Sequence, residues 1–368
     1  MYPVLKSPES QIRLFKVKRV EADKVFGTLD VFDLSTVPSF YALSYTWGEE
    51  KPTKPLVIGE GVMKIEIRMN LGRFLTSFAG LSAADFAKAF CSDALGPTEA
   101  HLWIDQVCID QSSIPEKNSQ VALMSKIYSS PTEVICWPSN SQAEMELIDE
   151  ALKDWLDPKR HPGDNVLLEA RYWSRAWIQQ EILLAREVRI FGGTRSLPWQ
   201  EFGRWDDKWV RANPIGTLSR VLKERFIAGG SLLSLDSVID TFLECQCTEV
   251  RDHIYAFMSL VQPPERLPID YSMPVMRLWW YYIRSSLKGH LAWPPGNSNI
   301  RLSGLDVLLA MPTTANLGMD RDDCLRIVRR YVGDFSKARI ANPALTLEEY
   351  GAEHGDPYDR FVAARSAE

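Results

Sequence analysis

Glu181 is the side chain in this sequence that ordinary helix chemistry explains least. In Arg171-Tyr172-Trp173-Ser174-Arg175-Ala176-Trp177-Ile178-Gln179-Gln180-Glu181-Ile182-Leu183-Leu184, Ser174 is a natural N-cap and Trp177, Glu181 and Leu184 follow at i, i+4 and i+7, one face of a helix. A carboxylate between a tryptophan and a leucine on that face meets protein rather than water. No lysine or arginine stands three or four positions to either side. A local ion pair is therefore excluded, and the partner is a backbone group, a remote arginine or a ligand. Removal from water raises a carboxylate's pKa, the condition under which carboxylates do acid–base or charge-stabilising work.

Two further stretches carry polar groups at the ends of apolar runs. His101-Leu102-Trp103-Ile104 reads as a buried strand and is followed at once by Asp105-Gln106-Val107-Cys108-Ile109-Asp110-Gln111. In open α/β sheets ligands sit in the crevice beyond the carboxyl ends of the strands, so Asp105, Gln106 and Cys108 are candidates to line a site. Asp105 capping a turn is the structural alternative. The second stretch is Phe40-Tyr41-Ala42-Leu43-Ser44-Tyr45-Thr46-Trp47-Gly48, a strand that runs into a polar loop. Gly48 permits a sharp turn or a close approach to a ligand. Trp47 either stacks on a flat ring or plugs the core, and the same choice applies to Trp137 at the end of Glu133–Pro138.

The elements that must hold these groups are legible as alternating patterns. Residues 12–32 form two short strands around the turn 21–24, and residues 56–68 form a hairpin around Gly59-Glu60-Gly61. Asn70 is a candidate N-cap for a helix whose Leu71, Phe74, Leu75 and Phe78 face a core. Helical signals fill residues 80–100. Pro115 suits the first turn of a helix after Ser113, and Glu116 suits its dipole. Strand, helix and strand therefore follow one another from 101 to 138, as a βαβ unit requires. Helix 141–156, loop 158–164 and strand 187–191 complete an α/β domain over residues 1–200. Residues 201–368 read as a mainly helical region, with helices at 218–227, 232–245, 251–260 and 276–287. Asp252 and His253 are adjacent there, and adjacent residues on a helix point apart.

Composition narrows the function classes. The formal net charge is −6 and the basic runs are short, which argues against a nucleic-acid binder. The six cysteines form neither a disulfide framework nor a paired zinc motif, and scattered thiols suit a reducing, cytoplasmic setting. No signal peptide and no membrane span are expected. The absence of a GxGxxG motif removes a dinucleotide-binding dehydrogenase. No bound cofactor or metal is called for. A hydrolase built on Asp105 with Cys108 or a histidine has no motif spacing behind it.

Three segments together resemble the fungal heterokaryon incompatibility (HET) domain family. They are Tyr41–Gly48; Leu102–Gln111 with Glu116, Gln120, Met124, Ile127 and Tyr128; and Arg175–Glu181. Order and spacing match as well, over roughly residues 12–200. Gln106 replaces a usually small residue and Asp110 a frequent asparagine. The resemblance implies a part in non-self recognition and programmed cell death. A more distant likeness to TIR domains implies a TIR/flavodoxin-like, mostly parallel sheet flanked by helices. In NAD-cleaving TIR domains the glutamate four residues after the tryptophan is catalytic, here Glu181, although Ile178 stands where those domains have cysteine. The resemblance thus implies NAD as substrate, with Ser44, Tyr45, Thr46, Trp47, Gly48, Asp105, Gln106, Cys108, Trp137 and Trp177 lining its site. Breaking the ribose–nicotinamide bond passes through an oxocarbenium-like state that a carboxylate stabilises. The alternative within the same pathway is a non-enzymatic module for self-association or partner binding.

Overall fold

A computed structural model describes residues 2–21, 24–48, 54–59, 61, 63–90, 96–157, 166–202, 232–291, 334–335, 337–339, 341–342 and 347–354. The chain divides into two units, Met1–Ser231 and Leu232–Glu368. The expected loop at 158–164 and helix at 218–227 lie outside the described residues.

The first unit is an α/β domain around a nine-stranded sheet. Its strands are β1 (Gln11–Glu21), β2 (Lys24–Asp33), β3 (Phe40–Tyr45), β4 (Lys54–Ile58), β5 (Met63–Ile67), β6 (His101–Trp103), β7 (Glu133–Trp137), β8 (Val188–Phe191) and β9 (Ser196–Pro198). They lie in the order β5-β4-β2-β1-β6-β3-β7-β8-β9. The sheet is mixed rather than mostly parallel. Four strands, β6-β3-β7-β8, are mutually parallel and form its middle. The long β1–β2 hairpin adds antiparallel pairs on one side, and β9 closes the other side antiparallel to β8. The two strands read as short at 12–32 are therefore long, because β1 runs between β2 and β6 and is paired on both sides. The β4–β5 hairpin forms as its alternation implies.

The helices used below are α1 (Met69–Ala79), α2 (Ala83–Phe90), α3 (Asp105–Cys108), α4 (Ile114–Ser129), α5 (Gln142–Leu156) and α6 (Ala176–Leu184). β3 is covered on both faces, and all six of its residues are buried. On one face Phe74, Phe78, Phe86, Phe90, Phe191 and Trp137 interlock at ring distances of 5.1–6.2 Å. On the other, Trp103 meets Tyr128 of α4 edge-on, and Tyr172 reaches Ser44.

Local chemistry departs from the sequence reading at two helix starts. Asn70 is not an N-cap. It lies inside α1, only 2% exposed, and the cap position is Arg68. Ser174 lies in a 3₁₀ turn, Arg171–Ser174, and its hydroxyl donates to the Arg171 carbonyl at 2.7 Å. Arg175 takes the N-cap position of α6 with no side-chain cap. By contrast Ser113 caps α4 and Ser141 caps α5, each accepting the N–H of an acidic residue three positions on.

In the second unit the described helices include Leu235–Thr241, Asp252–Tyr255 and Val275–Leu291. The helix expected over 251–260 is only a turn long, because Ala256–Leu260 continue as turns. Asp252 accepts a bond from Tyr271 at 2.7 Å, and burial pushes the pKa of His253 down.

Candidate functional site

The site gathers at the carboxyl ends of β3 and β6. Between β3 and β7 the crossovers diverge: α1 and α2 precede β6 on one side of β3, while α4 links β6 to β7 on the other. Such a divergence leaves a crevice beyond the strand ends. Ser44 pairs with Cys136 and Tyr45 with Trp137 in the β3–β7 register. Successive residues of a strand face opposite sides, so Ser44 and Cys136 face one way and Trp137 the other.

Glu181 sits on the Ser44 side. It is 6% exposed, and its Oε2 is buried with no hydrogen-bond partner. Burial pushes its pKa from 4.5 up to about 8; Ser44 opposes that shift, Asp105 adds to it, and Arg175 and Tyr128 oppose it. The two hydroxyls that oppose the shift by hydrogen bonding are each shared with another group. The Ser44 hydroxyl bonds Tyr172 Oη at 2.6 Å, and Tyr128 donates to the Leu43 carbonyl at 3.2 Å. The stripe read from the sequence is refined here: α6 is buried almost all round, and Trp177 and Leu184 are its partly exposed members.

Asp105 opens α3 directly after β6. Its Oδ2 accepts the Trp47 indole N–H at 2.7 Å and its Oδ1 the Gln106 backbone N–H at 2.6 Å. Burial raises its pKa, while Trp47, the Gln106 amide, Arg175 and Tyr45 pull it down. Trp47 is therefore held in place and partly exposed rather than a core plug, with the Arg68 guanidinium 5.7 Å from its ring centre. Tyr45 donates to Gln106 Oε1 at 3.2 Å, which fixes both side chains. Burial, then Asp105, raises the Tyr45 pKa.

Three of the residues marked from sequence do other work. Trp137 is 0% exposed on the opposite side of the sheet, and its N–H bonds Asn70 Oδ1 at 3.0 Å, so it is a core plug and not a stacking surface. Thr46 belongs to the same knot: its carbonyl accepts from Asn70 Nδ2 at 2.7 Å and its hydroxyl bonds Asn140. Cys108 is 0% exposed, with burial pushing its thiol up to about 12, so it is inert as a nucleophile. Gly48 has φ +77, and a Cβ there would meet only Asn70 Cβ at 3.8 Å. The left-handed backbone there favours glycine.

The structure brings together Ser44, Tyr45, Trp47, Asp105, Gln106 and Glu181. Sequence reasoning missed Tyr128 and Tyr172, which are buried beside Glu181, and Arg175. Among the described residues, Arg175 is the basic residue that acts on Tyr45, Asp105 and Glu181 alike. Ser174 beside it read as the helix cap, which hid the place of Arg175 at the start of α6.

The family described as Heterokaryon incompatibility protein (HET) matches residues 40–181, from the first residue of β3 to Glu181 itself. Heterokaryon incompatibility protein 6, OR allele, of Neurospora crassa is 30% identical over 159 residues, covering 42% of this chain and 23% of that protein. The chain thus matches about a quarter of the length of that curated relative. No solved structure matches the chain.

Proposed function

We propose that this chain, whose residues 40–181 match the HET family, acts in fungal heterokaryon incompatibility and cell death by hydrolysing the N-glycosidic bond of NAD through Glu181. The observation that carries this reading is the buried, unpartnered Glu181 Oε2 beside Asp105. The parallel order β6-β3-β7-β8 supports a TIR- or flavodoxin-like core, with the site at its switch point.

The chemistry follows from the environment. A carboxyl with pKa about 8 is mostly protonated at neutral pH. A cationic nicotinamide entering beside it favours the ionised form. As the C1′–N bond breaks, both bonding electrons leave with nicotinamide and positive charge gathers on the ribose ring. The carboxylate, poorly solvated, stabilises that charge and accepts a ribose hydroxyl bond. Water adds at C1′ and loses a proton, leaving ADP-ribose and nicotinamide. Trp47, held by Asp105, offers a flat wall for a ring.

The test is nicotinamide release by the full chain, with Glu181→Gln and Glu181→Ala beside it, under dilute and assembly-promoting conditions. Turnover that both variants abolish supports the proposal. No turnover under either condition refutes hydrolysis and favours a self-association module. Equal turnover by the variants removes Glu181 from the mechanism.

A further inference from the structure

The start of α6 has no side-chain cap, and Arg175 occupies the cap position. Among the described residues the Arg175 guanidinium makes no hydrogen bond or ion pair, and its Nε is buried without a partner. A buried guanidinium N–H left unbonded costs free energy, so it is unusual unless a ligand completes it. Two carboxylates are near enough to Arg175 for each to feel its charge, yet neither pairs with it. The first turn of α6 has no acidic residue and its cap makes no side-chain bond, so no side chain of the helix itself offsets the positive end of its dipole. Beyond that turn, Glu181 supplies the second unpartnered group, 6% exposed.

A helix that feeds a parallel strand runs antiparallel to it. The N-terminus of α6, which leads into β8, therefore lies toward the carboxyl edge of the parallel strands, and Glu181 lies deeper along them. A free anion alone would be repelled by Asp105 and Glu181. An anion tethered to a hydroxylated or cationic group satisfies both ends at once.

We infer that Arg175, with the first N–H groups of α6, binds the phosphate of a phosphorylated N-riboside whose sugar lies against Glu181. This rests on the N-riboside reading of the Glu181 site and adds the phosphate as the determinant of specificity. The planar guanidinium fork matches two phosphate oxygens, which an ammonium group cannot do.

The test separates binding from hydrolysis. In the full-length Glu181→Gln chain, which leaves ligand intact, affinities for nicotinamide mononucleotide and nicotinamide riboside are measured by calorimetry. The phosphorylated ligand is expected to bind about 10- to 100-fold more tightly. Adding Arg175→Gln should erase that preference while leaving riboside affinity unchanged, and Arg175→Lys, which keeps the charge and spares the fold, should retain only part of it. Equal affinities, no binding of either ligand, or a preference that survives both arginine substitutions would overturn the inference. The two proposals fail separately. Phosphate preference without nicotinamide release in the unsubstituted chain refutes hydrolysis alone, whereas equal release from both ligands refutes the role of Arg175 alone.

Discussion

Two arginine–glutamate neighbourhoods in the same domain are built in opposite ways. Arg13, 1% exposed on β1, grips Glu116 of α4 with both terminal nitrogens, at 2.5 and 3.0 Å. Its remaining donors go to the carbonyls of Pro3 and Cys108, and Glu116 also accepts the Asp110 backbone N–H at 2.7 Å. That closed knot ties the N-terminal segment, β1, the loop after α3 and α4 into one piece. Arg175 and Glu181 sit on one short helix and do not pair. One carboxylate is satisfied on every side, and the other is buried with a bare oxygen. Closed pairs hold a fold, and pairs held apart leave room for a ligand to close them.

Substitutions should separate the two neighbourhoods cleanly. The largest effect falls on turnover: Glu181→Gln should lower nicotinamide release about 10²- to 10⁴-fold without loss of thermal stability. Glu116→Ala should do the reverse. It strands a buried guanidinium and should cost about 3–5 kcal/mol in chemical denaturation of the first unit. A Glu116 variant of normal stability would dissolve the contrast.

The pH dependence of stability sharpens the same contrast. The folded-state pKa of Glu181, about 8, lies above its ordinary value of 4.5. Its contribution is therefore complete below 4.5 and is lost as pH rises through 8, an effect of up to roughly 5 kcal/mol. Glu181→Gln removes this term. The variant should thus gain stability relative to the unsubstituted chain as pH is raised from 5 to 9, measured as the difference in melting temperature. The raised pKa of Asp105 and the lowered ones of His101 and His253 remain in both proteins, so the difference isolates Glu181.

Smaller effects test the two tryptophans and the thiol. Trp47→Phe removes the bond to Asp105 and should reduce turnover about tenfold. Trp137→Phe should cost about 1 kcal/mol of stability, from the unpaired Asn70 Oδ1, with turnover unchanged. Cys108→Ala should leave nicotinamide release within about twofold, as suits a thiol with no part in the chemistry. A loss of activity there would revive a thiol mechanism.

How far these regions were readable from sequence follows from the range of their contacts. The Ser44–Gly48, Asp105–Gln106 and Arg175–Glu181 segments carried their own signals, because each couples an apolar element to an abrupt polar end. Glu116 was readable as a first-turn acid, and it does complete a capping arrangement with Ser113. Its stronger partner, Arg13, was not readable, since 103 residues separate the two. The placement of Trp137 behind the sheet depends on the register of β3 against β7, which local alternation does not specify. The mixed character of the sheet was hidden for the same reason: β1 pairs with both β2 and β6, and its pattern alone names neither partner.

The most direct measurement is the carboxyl titration of Glu181 by ¹³C NMR in the full chain, its resonance identified by its disappearance in Glu181→Gln. An inflection near 8 is the expected result, the signature of a carboxyl kept from water with one oxygen left without a hydrogen-bond partner. An inflection at or below 4.5 would mean that solvent or a cation already serves that oxygen, and would contradict the account.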